Sequence, residues 1–195
     1  MDLSPITLEG QFVKLVPLTL EHRDALVNAA TDGKLWELWF TSVPNEARVD
    51  DYLNMAFEQQ SLGRALPFAV IDKHTDEVIG STRFCNIDSK NRRLEIGYTW
   101  YAKRFQRTGV NTECKKLLLS YAFETLNVIA VEFRTHWHNQ ASRNAIARLG
   151  AKQDGVLRNH QIMADGCVRD TVVFSIIDGE WPMVKRSLEF KLAQS

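Results

Sequence analysis

The sequence predicts a single mixed α/β domain. Three observations lead there. Apolar residues fall into seven strand-like and five helix-like segments, in the order strand, two helices, three strands, helix, strand, helix, two strands, helix. No internal repeat, low-complexity tract or long linker divides them. The 195 residues are 45% hydrophobic and 25% charged, enough to bury a sizeable core in one domain.

Phe12 to Leu18 reads as the first strand, stopped near Pro17. Glu21 to Ala30 sets Leu26, Ala29 and Ala30 at helical spacing and ends near Asp32-Gly33. Trp36, Trp39 and Phe40 crowd an irregular stretch before Pro44. A second helix spans Arg48 to Ser61, with Tyr52, Met55 and Ala56 on one face and Gly63 closing it. Leu66 to Ile71 and Val78 to Phe84 are strands on either side of the turn-forming run Asp72 to Asp76. After a turn at Asp88 to Asn91, Arg93 to Trp100 alternates. Leu94, Ile96, Tyr98 and Trp100 point one way, and Glu95, Gly97 and Thr99 the other. A strong helix runs from Val110 to about Leu126 on a face of Val110, Cys114, Leu117, Leu118 and Tyr121. Ile129 to Thr135 is a strand, and Gln140 to Leu149 a helix stopped by Gly150. Ala151 to Arg158 and Val168 to Ile177 are strands joined across Asp165-Gly166, and Trp181 to Leu192 is a last helix.

Lys and Arg total 24, as do Asp and Glu. That balance gives no electrostatic reason to expect nucleic acid or a membrane as partner. The start carries no basic segment followed by an apolar run, and no stretch is long and apolar enough to cross a bilayer. A cytoplasmic location is therefore expected. Cys85, Cys114 and Cys167 lie too far apart for a zinc-type spacing and read as packing residues in a reducing compartment.

The chemistry concentrates around Gly109. Gln106-Arg107-Thr108-Gly109-Val110-Asn111-Thr112 leads from a loop into a helix. A helix N-terminus offers unpaired N–H groups and partial positive charge, and a glycine lets the backbone approach a ligand. The segment suits a phosphate cradle, and equally a plain helix start. Further on, Asn139-Gln140-Ala141-Ser142 opens the helix that ends at Gly150.

Together these segments resemble the Gcn5-related N-acetyltransferase superfamily, most of all its branch of RimJ- and RimL-type ribosomal-protein acetyltransferases. The superfamily's pyrophosphate loop, Gln/Arg-x-x-Gly-x-Gly/Ala, is matched by Gln106 to Asn111, with Asn111 replacing the last small residue. The branch's Asn-x-x-Ser, helix and glycine are matched by Asn139 to Ser142, Arg143 to Leu149, and Gly150. The resemblance implies a central, mostly antiparallel sheet with one splayed parallel strand pair, flanked by helices. It implies acetyl-CoA as co-substrate, with no metal. It also implies backbone bonds from Tyr101 and Ala102 to the pantetheine arm. The pyrophosphate would lie over the N–H groups of Arg107, Thr108, Gly109, Val110, Asn111 and Thr112, and Asn139 would reach the arm from the other side.

A protonated amine cannot attack a thioester, so a base must take its proton. The histone-acetylating members carry a glutamate base on the matching strand, and here that residue is Glu95. The polar side of a half-buried strand also suits a solvated carboxylate. Many members protonate the leaving thiolate with a tyrosine, whose slot here is Ile146. RimL-like relatives use the serine of Asn-x-x-Ser, here Ser142, a residue that equally suits a helix cap. No acid stands in Arg158 to Gln161, where relatives can carry a carboxylate. Trp36, Trp39 and Phe40 fall where the superfamily forms a wall of its acceptor cleft, and they suit packing as well. Arg83 is a candidate to attract an acidic acceptor. Histidine as a residue type suits proton transfer near neutrality, so His136, His138 or His160 could serve as a base, but without a third ligand nearby they do not make a metal site.

The expected activity is acetyl transfer from acetyl-CoA to an amine, either a small molecule or a protein N-terminus, by a monomer or homodimer. The competing expectation is a catalytically weak acyl-CoA-binding sensor, for which Ile146 and Asn111 leave room.

Overall fold

The computed structural model describes residues 1 to 194. Its strands are β1 (Leu8–Glu9), β2 (Val13–Pro17), β3 (Leu66–Asp72), β4 (Val78–Asp88), β5 (Arg93–Tyr101), β6 (Ala130–His136), β7 (Lys152–Ile162) and β8 (Val168–Ile177). They form one sheet in the order β1-β2-β3-β4-β5-β6-β8-β7. Every neighbouring pair is antiparallel except β5 and β6, which are parallel. The helices are α1 (Arg23–Thr31), α2 (Val49–Ser61), α3 (Val110–Ser120), α4 (Gln140–Leu149) and α5 (Trp181–Leu192).

Two cores hold the layers together. In α2, Val49, Tyr52, Leu53 and Ala56 recur at helical spacing and are buried. With Leu26, Ala29 and Ala30 of α1 they pack against Ala69 and Trp100 on one face of the sheet. On the other face, Cys114, Leu118 and Leu119 of α3 and Val184 and Leu188 of α5 meet Phe68, Phe84, Leu94, Ile96 and Phe133. Helix α4 stops where Gly150 takes a φ of 105°, and a Cβ there would also approach Val184 Cγ2 to 3.1 Å.

Several expected elements change. The short β1 pairs with β2 and is added, while β4 and β7 run on to Asp88 and Ile162. The helix expected to reach Leu126 changes form after Ser120 into a π-turn over Tyr121–Thr125, with Leu126 N–H donating to the Tyr121 carbonyl at 3.0 Å. The wider turn lets Ala122, Phe123 and Leu126 all reach the core, where Phe123 stacks on Trp181.

The clean alternation expected in β5 also breaks. Arg83 pairs with Gly97, but Ser81 pairs with Trp100, so β5 carries an extra residue there. Tyr98 takes a φ of 51° at this bulge. Side-chain parity reverses across it, so Trp100 joins the α1–α2 core while Leu94 and Ile96 face the opposite one.

The feature that positions the site is the central parallel pair. β5 and β6 are paired only at Arg93–Ala130, Leu94–Val131 and Glu95–Glu132. Beyond that fork β5 follows β4 to Tyr101, and β6 follows β8 to His136. A wedge-shaped gap opens between them.

Candidate active site

The loop before α3 turns sharply at Arg107, whose φ is 61°. The Thr108 hydroxyl donates to the Phe105 carbonyl at 2.7 Å and accepts the Val110 N–H at 3.3 Å. Gly109 is the N-cap, and Glu113 N–H donates to its carbonyl at 2.9 Å. Asn111 and Thr112 precede that bond, so their N–H groups point out of the helix end. Arg148 of α4 reaches over, with Nη2 3.4 Å from the Thr112 hydroxyl. Arg107 and Arg148 thus bring guanidinium charge to a positive helix end, a setting that fits a pyrophosphate. The first turn is anchored from behind. The buried Glu113 carboxylate accepts the N–H groups of Gln11, Phe12 and Val13 at 2.7, 2.7 and 2.9 Å.

At the end of β5, Ala102 N–H donates to the Ile79 carbonyl at 2.8 Å. Gln106 Nε2 donates to the Tyr101 carbonyl at 3.0 Å. Neighbouring residues of a strand turn their backbone groups to opposite edges, so the Tyr101 N–H faces the gap and that of Ala102 does not. The expectation of two backbone partners there narrows to Tyr101.

Asn139 is the N-cap of α4, its Oδ1 accepting the Ser142 N–H at 3.1 Å. Ser142 is therefore not the cap. Among the described residues its hydroxyl has no hydrogen-bond partner, and the Asn139 amide N–H groups are likewise unengaged. Ile146 is buried in the core.

Glu95 stands at the fork and is 7% exposed. Asn86 Nδ2 donates to its Oε2 at 2.7 Å, and Arg134 Nε lies 3.6 Å from the same oxygen. Burial raises the Glu95 carboxyl above the usual range, against the opposing pull of Asn86 and Arg134. Gly97 leaves the space, since a Cβ there would sit 3.1 Å from Glu95 Oε1 and 3.0 Å from Cys85 Sγ. Its strand partner Glu132 is displaced the other way. Burial raises it, but Arg134 and Arg93 together take it below the usual range. Two carboxylates whose pKa values are pushed apart suit a division between proton transfer and structural charge.

Two cavities lie beside Glu95. One, of about 140 Å³, is lined by Asn86, Asp88, Arg93, Glu95, Glu132 and Arg134. The other, of about 200 Å³, shares Asn86 and is lined by Met55, Gln59, Arg64, Arg83, Cys85 and Tyr98. Arg83 is 1% exposed. Its guanidinium lies 4.0 Å from the Tyr98 ring centre and 4.9 Å from that of Tyr52, while Nε and Nη2 have no hydrogen-bond partner. The bulge carries Tyr98 out of the core and over this arginine.

Trp39 is exposed and meets His136 edge-on at 5.0 Å. Trp36 does not join it. The short turn Leu35–Glu37 packs Trp36 against the α1–α2 core, which corrects its placement in an acceptor wall. His136 Nδ1 accepts the His138 N–H at 3.0 Å, so the proton of its neutral ring sits on Nε2. Burial, with Arg169 and His138 nearby, lowers its pKa. Among the described residues no group of three or more His, Cys, Asp or Glu side chains could hold a metal.

Sequence reading missed Asn86, Glu113, Arg148 and Lys115. Only Lys115 left a signal, a charge in register with Leu118, Leu119 and Ala122 on the buried face of α3.

A sheet whose central parallel pair parts beside a helix N-terminus is the arrangement that the resemblance to the N-acetyltransferase superfamily implies. The family described as the acetyltransferase (GNAT) domain matches residues 13–152, and the chain belongs to it. An uncharacterized N-acetyltransferase, p20, of Bacillus licheniformis is 29% identical over 90% of this chain and 98% of its own. The ribosomal protein uS5-alanine N-acetyltransferase of Escherichia coli is 25% identical over 66% of each chain. The crystal structure of a GCN5-related N-acetyltransferase from Brucella melitensis matches with a TM-score of 0.88 and 31% identity, over 97% of this chain and 86% of that one. The protein transfers an acetyl group from acetyl-CoA to an amine.

Proposed function

We propose that the acceptor is a small amine that also carries a carboxylate or phosphate. Arg83 holds the anion, and Glu95 takes the proton from the attacking nitrogen. One observation carries this reading: a fully buried guanidinium with Nε and Nη2 unpartnered, in the wall of a cavity that also holds Arg64 and no carboxylate. Leaving buried donors unpaired costs about 1–3 kcal/mol each, and a bound anion recovers it. Asn86 borders both cavities, so the anion and the amine can be two ends of one molecule. The larger cavity, about 200 Å³, is below the ~300–1,000 Å³ of drug-sized sites, which favours a small acceptor over a protein tail.

The coenzyme fits the other side of the fork. Its pyrophosphate lies on the Asn111 and Thr112 N–H groups between Arg107 and Arg148. The Tyr101 N–H and the Asn139 amide follow the pantetheine, and the Ser142 hydroxyl faces the sulfur. Cys85 and Cys114 are buried free thiols, which suits a reducing, cytoplasmic setting.

Release of free thiol from acetyl-CoA tests the acceptor class. Glycine is compared with glycinamide, phosphoethanolamine with ethanolamine, and both with a short peptide bearing a free N-terminus. The anionic amines should be preferred by about tenfold or more, and Arg83→Met should erase the preference. Equal use of charged and uncharged amines sinks the reading. Preference for the peptide points to protein N-termini instead.

A further inference from the structure

Lys115 is a buried charge that the site described above does not use. It lies on α3, turned inward with Leu118 and Leu119, and is 5% exposed. Its Nζ is 2.6 Å from Thr99 Oγ1 on β5, which is 2.7 Å from Thr82 Oγ1 on β4. On the other side, the Phe133 ring of β6 is centred 6.0 Å away. Thr99 and Phe133 both lie beyond the Glu95–Glu132 pair, where the strands have parted. The ammonium therefore sits in the gap, backed by the helix whose first turn is the phosphate cradle.

Among the described residues no carboxylate lies within ion-pair distance of it. The titratable groups that face it are Cys114 on its own helix and Cys85 on β4. Burial raises the pKa of both thiols, so both are neutral. A buried ammonium with one hydroxyl partner destabilises a fold, and an apolar side chain would fill the place without that cost. Packing gives no reason for the charge. Negative charge developing in the gap would, and a thiolate set free as a carbon–sulfur bond breaks is such a charge.

We propose that Lys115 is a further catalytic residue, whose ammonium contacts the thioester sulfur and protonates the departing thiolate of coenzyme A. The proposal rests on the placement of the pyrophosphate at the first turn of α3. The amine lone pair forms the new bond to the acetyl carbon, and the carbon–sulfur bond breaks with its electron pair going to sulfur. A proton passes from Lys115 Nζ to sulfur, giving the free thiol, while the proton shed by the nitrogen passes to Glu95. After release, Glu95 loses its proton to solvent and Lys115 regains one. Burial lowers Lys115 from 10.5 to about 8. An ordinary thiol titrates at about 8.5, so the transfer is nearly even. Ile146 leaves no tyrosine hydroxyl on α4 for this task, and a serine hydroxyl such as Ser142 is too weak an acid to supply the proton alone.

The test uses the full chain and the variant Lys115→Met. Without ligand the variant should melt at a higher temperature than the wild type. The folded wild type gives up the Lys115 proton at about pH 8 and the unfolded chain only at 10.5, so the stability penalty is full below that window and fades as pH rises through it. The gain in melting temperature should fade the same way. By calorimetry the variant should bind acetyl-CoA about as well as the wild type. Thiol release should fall about a hundredfold, both to the best amine of the panel and to water alone. The decline of wild-type turnover above about pH 8 should be absent. If the Met variant does not fold, Lys115→Gln takes its place. Wild-type thiol release, or a fall explained wholly by lost acetyl-CoA affinity, overturns the proposal. Failure of the coenzyme placement shows separately, as unchanged acetyl-CoA affinity in Gly109→Val.

Discussion

Asn86 Nδ2 donates to Glu95 Oε2 at 2.7 Å, and through this bond one side chain borders both cavities of the site. Asn86 takes a φ of 47°, a left-handed conformation that asparagine tolerates better than most residues. It stands where the β4–β5 register shifts between Cys85 and Asp88. The irregular ends of β4 and β5 therefore do chemical work: one aims Asn86 at Glu95, and the other lays Tyr98 over Arg83.

Replacing Glu95 with Gln keeps size and hydrogen bonding but removes basicity. Turnover should fall by about a hundredfold while acetyl-CoA affinity hardly changes. In the wild type, activity should drop as pH falls through the raised Glu95 pKa, and the variant should lack that limb. An acid with a raised folded pKa contributes stability below its unfolded pKa and loses it as pH rises through the folded value. The variant should therefore melt higher than the wild type at neutral pH and not in acid. Wild-type turnover at every pH would remove Glu95 from the role of base.

Asn86→Ala removes the bond that opposes desolvation of Glu95. The Glu95 pKa should rise further, and the acid limb of turnover should move to higher pH. A pH–rate profile checks this, and an unmoved limb means that Asn86 does not tune the base.

Gly109→Val places a branched side chain at the N-cap of α3. Acetyl-CoA affinity should fall by tenfold or more, about 1.4 kcal/mol, with the circular dichroism spectrum retained. Unchanged affinity in a folded variant moves the pyrophosphate elsewhere.

Ser142→Ala should leave the melting temperature nearly unchanged, because Asn139 and not Ser142 caps α4. Its effect should appear in turnover rather than in acetyl-CoA affinity. A clear drop in melting temperature with turnover intact would return Ser142 to a structural part.

The order of strands and helices was legible because each element carries its own short-range periodicity. The exact bounds of α4 and β8 followed from the glycine at 150 and the turn at 165–166. The Tyr98 bulge was not legible. One extra residue leaves the printed alternation intact while reversing which core each later side chain enters. Arg83 was legible as a candidate for an acidic acceptor, but its burial was not, because nothing local shows that Tyr52, from a distant helix, closes over it. Arg148 lies 36 residues from the threonine it touches, on the far half of a helix whose motif is at its start. Ala102 failed for a subtler reason, since the edge to which a backbone group points depends on register and not on residue type.

Glu113 has a temporal consequence. The three N–H groups that it accepts come from residues 100 to 102 positions earlier in the chain. During synthesis the first strands are exposed to solvent long before the carboxylate that ties them down has been made. Contacts of such long range close late in folding. The first turn of α3, where the coenzyme is proposed to bind, is thus tied to the sheet by contacts that span 100 to 102 positions, and its anchoring depends on residues 11 to 13. A fusion or truncation at the N-terminus should be felt first not in the sheet but in the grip on acetyl-CoA.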